Sequence, residues 1–68
     1  MDNETFNISL RKFLKMVGVN SQREIEQAVA KAIESGQVGG TEKLAANVTL
    51  AIPAIGLKVG FDGEIILN

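Results

Sequence analysis

The chain has 68 residues, seven basic against eight acidic, and neither cysteine nor histidine. This length predicts a single domain over residues 1–68, near the lower limit at which a core offsets the conformational entropy of the chain. The composition excludes disulfides, ordinary zinc sites and histidine-based nucleophilic catalysis, and the balanced charge offers no general basic excess for a phosphate backbone.

The first predicted element is a helix over about 4–17. Phe6, Leu10, Phe13, Leu14 and Val17 fall on one arc at a 3.6-residue period. Asp2 or Asn3 can cap it, and Gly18 can end it in a left-handed conformation. A short connection, Gly18-Val19-Asn20, leads to a second helix over about 22–35. Ser21 and Glu24 form a capping box, Ile25, Ala28, Val29, Ala32 and Ile33 make an apolar stripe with small residues in it, and Gly36 stops the helix.

A loop is expected from Gln37 to Lys43, where Gly39-Gly40-Thr41 has no bulk to pack. The period then changes to two. Leu44, Ala46, Val48, Leu50 and Ile52 alternate with smaller or polar residues, predicting a strand over about 44–52. Pro53-Ala54 reads as a turn, which would set Leu50 against Leu57 and Val48 against Val59 in a strand over about 55–61. Asp62-Gly63 is a hairpin signal, and a three-residue loop Phe61-Asp62-Gly63 would set Val59 against Ile65 and Leu57 against Leu67 in a last strand over about 64–68. The expected fold is α+β, with two helices packed on one face of a three-stranded antiparallel meander.

Sites for chemistry are scarce. Glu24 and Glu26 lie two apart on a helix and do not face each other, and Asp62 and Glu64 flank a turn glycine. No EF-hand spacing or phosphate-binding glycine motif is present. We therefore expect no catalytic residue, no metal and no cofactor. Asn47-Val48-Thr49 is formally a glycosylation sequon, but its polar members fit the outer face of a strand. The start of the chain is acidic and polar, without the pattern of a leader peptide, and no run approaches the ~18 apolar residues of a membrane span, so a cytoplasmic, non-membrane protein is expected.

Two surfaces are candidates for a partner. One is a basic helix side, Arg11, Lys12 and Lys15, with Ile8 among the cations. The other is the second face of the sheet, where Thr49, Gly56, Lys58 and Gly60 leave a smooth surface suited to another sheet or a second copy. A third reading takes segment 13–33 as helix-turn-helix-like. Its would-be recognition helix is acidic, with Glu24, Glu26 and Glu34 against Arg23 and Lys31.

The run Phe6-Asn7-Ile8-Ser9-Leu10-Arg11-Lys12-Phe13-Leu14-Lys15, followed by Val17-Gly18-Val19 and Ser21-Gln22-Arg23-Glu24-Ile25-Glu26, resembles a small family of uncharacterised bacterial proteins classed as a domain of unknown function. Leu50, Ile55-Gly56-Leu57 and Asp62-Gly63-Glu64-Ile65 extend the resemblance over nearly the whole chain, although Pro53-Ala54 stands where the family tends to have glycines. The resemblance implies a free-standing bacterial protein and carries no activity or site residue with it. The leading expectation is a non-enzymatic protein-interaction module with an unknown protein partner, for which a homodimer is one available state. The alternative is a weak nucleic-acid-binding protein using segment 13–33.

Overall fold

Helix α1 runs unbroken from Asn3 to Glu34, 32 residues, in the computed structural model, which describes residues 1–68. It makes up nearly all of the first of two units, Met1–Ser35; the second is Gly36–Asn68. Asp2 caps the start: its Oδ1 accepts from the amides of Glu4 at 3.0 Å and Thr5 at 3.2 Å. These amides hold the Asp2 carboxyl below its ordinary value, Thr5 foremost. At the other end the Ser35 amide donates to the carbonyl of Lys31, and Gly36 turns away at a φ of 79°.

One helix therefore replaces the two expected over about 4–17 and 22–35. Gly18, Val19 and Asn20 are helical, and positive φ is confined to Gly36, Gly40 and Gly56. The reason lies in the backbone. A break at Gly18 would strand about four carbonyls and four amides, of which the Ser21 box would satisfy only one or two. A glycine inside a continuous helix costs about 1 kcal/mol relative to alanine, and no proline enforces a stop. The same continuity corrects the helix-turn-helix reading of segment 13–33, because no turn separates its halves.

The second unit is a hairpin. Strand β1, Lys43–Ile52, pairs antiparallel with strand β2, Leu57–Ile66, each ten residues long. The connection is one 3-10 turn, Pro53–Ile55, closed by Gly56 at a φ of 68°, whose amide donates to the Pro53 carbonyl. Pro53 ends β1 by withholding a backbone donor, and Gly56 supplies the left-handed residue that turns the chain.

The expected three-stranded meander is corrected to these two strands. Residues 55–61 and 64–68 do not form separate strands, and Asp62-Gly63 is not a turn: Asp62 pairs with Asn47 and Gly63 with Ala46. Folding back at Asp62 would leave the first half of β1 without ladder partners, while continuing straight pairs it along its length. The first turn also spans four residues, Pro53 to Gly56, instead of two. Leu50 therefore faces Val59 and Val48 faces Phe61, two positions from the expected pairing. A shift of two keeps every side chain on its expected face.

Candidate functional site

The register gathers apolar side chains on one face of the hairpin. Leu44, Ala46, Val48, Leu50 and Ile52 of β1 lie opposite Ile65, Gly63, Phe61, Val59 and Leu57 of β2. Val48 is 52% exposed and Phe61 57%. The other face pairs Lys43 with Ile66, Ala45 with Glu64, Asn47 with Asp62, Thr49 with Gly60 and Ala51 with Lys58. The asymmetry between a wholly apolar face and a polar one is that of a sheet with one side meant to be covered.

A similar division runs along α1. Leu10, Leu14, Val17, Ser21, Ile25, Ala28 and Ala32 follow one another at steps of three or four residues and form one continuous stripe from end to end, with Phe6 and Phe13 at its N-terminal edge. Phe13 is 45% exposed and Leu14 49%. No residue in either unit is buried. Reading residues 4–17 and 22–35 as separate helices hides this stripe; its signal was the unbroken three-and-four spacing across Gly18 to Asn20.

Of the predicted surface residues, Ile8, Arg11, Lys12 and Lys15 share the side of α1 that faces away from Leu10, Leu14 and Val17. Thr49, Lys58 and Gly60 lie on the polar face of the hairpin, Thr49 directly opposite Gly60. Gly56 does not belong to that face, because its left-handed conformation places it in the turn. The two groups sit on different units, and all of these residues are exposed.

The loop that leads into β1, within the second unit, holds a feature that composition does not announce. Glu42 folds back over its own loop: Oε2 accepts from the Gly39 amide at 2.7 Å, and Oε1 from Gly40 at 2.9 Å and Thr41 at 3.0 Å. The Gly39 and Thr41 amides hold this carboxyl below its ordinary value. The Glu42 carbonyl also accepts from the Leu67 amide, extending the hairpin ladder beyond Lys43. The carboxylate thus satisfies the donors of a glycine loop and acts as a clamp, not as a free acid.

No three acidic side chains converge in a way that could hold a metal ion. No helix is long and apolar enough to cross a membrane. No curated protein and no solved structure matches the chain. A family model does match, described as "Family of unknown function (DUF6494)", and it spans residues 1–68. With its whole length covered, the chain belongs to this family of unknown function.

Proposed function

We propose that the protein is a non-enzymatic interaction module that works through protein contacts and associates with a second copy of itself. The carrying observation is that no residue of either unit is buried, while large apolar side chains line one side of α1 and one face of the hairpin. A lone two-stranded hairpin is marginally stable at best, and helical stability in proteins comes mostly from packing of an apolar face. Both elements therefore call for a cover. The exposed large apolar side chains on the stripe of α1, taken at the usual area of such groups, supply roughly 450 Å² per chain, about half of the roughly 800 Å² that each partner buries in a stable interface, the flanking residues supplying the rest. A second copy supplies a surface of matching size and character, and two-fold pairing is the commonest closed arrangement. A bacterial, cytoplasmic setting is part of the same proposal and rests on the family resemblance alone.

Sedimentation across a wide concentration range tests it. A species of twice the chain mass, falling to the monomer only on strong dilution, is expected. A monomer at every concentration would overturn the reading.

A further inference from the structure

Resting on self-association, we infer that two copies pair through α1 in antiparallel orientation, about a two-fold axis that crosses the stripe between Val17 and Ser21, level with Val19. The argument is one of size. That axis sets Phe6 opposite Ala32, Leu10 opposite Ala28, Phe13 opposite Ile25 and Val17 opposite Ser21. In these four pairs bulky residues of the N-terminal half meet small or single aliphatic residues of the C-terminal half, while Leu14 comes level with Glu24. Interiors pack well when large and small alternate across facing positions. A parallel pair would set Phe6, Leu10 and Phe13 against their own copies and leave Ala28 and Ala32 facing each other, forcing the helices apart at one end and leaving voids at the other.

Antiparallel pairing also opposes the two helix dipoles. The contact is long enough. A helix of 32 residues extends about 48 Å. The exposed parts of Phe6, Leu10, Phe13, Leu14 and Ile25 supply roughly 450 Å² per copy, so that with polar flanks the pair clears the roughly 1,000 Å² of a specific interface.

The absence of cysteine makes the test clean, since any disulfide must join introduced residues. The same axis brings Asn3 of one copy to Ser35 of the other, and both residues are exposed. Asn3→Cys and Ser35→Cys chains are made separately, mixed, oxidised mildly and resolved by mass. Antiparallel pairing is expected to favour the mixed product several-fold over either self-linked one. Self-linked products with little mixed product would overturn it in favour of a parallel pair. Dimeric mass with no disulfide of either kind would overturn the helix pairing and leave self-association through another face. Monomeric mass for the unaltered chain would overturn both. A size exchange gives a second readout that needs no cysteine. Leu10→Ala and Ala28→Leu should each weaken self-association roughly tenfold, and combining them in one chain should restore most of the loss, since each altered residue again meets its complement. Additive losses in the double variant would overturn the arrangement.

Discussion

Replacing Gly18 with alanine decides between one helix and two by the sign of its effect. In the continuous helix Gly18 is an interior position: its φ is not positive, and a methyl group placed there meets no atom within 4 Å. Alanine then gains the full helix-propensity difference, about 1 kcal/mol. For a chain of this size that corresponds to a rise in Tm of roughly 4–8 °C. Were the first helix to end at Gly18, the glycine would hold a left-handed cap conformation, and alanine would cost about 1 kcal/mol or more. Thermal unfolding followed by ellipticity at 222 nm reads the difference directly. An increase in Tm is expected, together with unchanged or higher ellipticity before the transition. A fall in Tm would refute the unbroken helix, and with it the end-to-end apolar stripe. Gly18→Pro sharpens the contrast, because a proline inside the helix costs about 3 kcal/mol or more and should remove much of the helical signal.

Two further outcomes follow from the hairpin and its approach. The Glu42 carboxyl is held below its ordinary value of 4.5 by the Gly39 and Thr41 amides, so its clamp is fully formed above about pH 4.5 and is lost as pH falls through the lowered value. The amide proton shifts of Gly39, Gly40 and Thr41 should titrate together in that acidic window; Glu42→Gln should abolish the titration and speed exchange of the same amides. Gly56 holds a φ of 68°, so Gly56→Ala should destabilise the hairpin by about 1–2 kcal/mol, seen as lost cross-strand nuclear Overhauser contacts between Leu50 and Val59; full retention of those contacts would contradict the left-handed turn.

Much of the local structure was legible in the residues. The period of 3.6 up to Ile33 and of two from Leu44 marks helix and strand, and Asp2 and Gly36 bound the helix as read. The apolar face of the strands was also legible, because Leu44, Val48, Leu50, Ile52, Leu57, Val59, Phe61 and Ile65 keep their side whichever even shift sets the pairing. The basic side of α1 around Lys12 follows from helical geometry alone. Gly56, in contrast, reads from the sequence as part of a strand face, because a glycine inside an alternating run does not announce whether it turns the chain.

Where the chain bends was not decided locally. Gly18 with the Ser21 box, and Asp62-Gly63, are permissive signals: each sequence can turn there and each can also continue. The choice belongs to hydrogen bonds made elsewhere. The helix keeps an unbroken ladder through Gly18 for the cost of one glycine, and β1 offers ten residues of ladder that only a straight β2 can fill. Alternation and periodicity act within a few residues and so can be read from the sequence. The number of elements depends on which distant groups satisfy the backbone, and only the folded chain settles that. From it follow the end-to-end stripe on α1 and the apolar hairpin face.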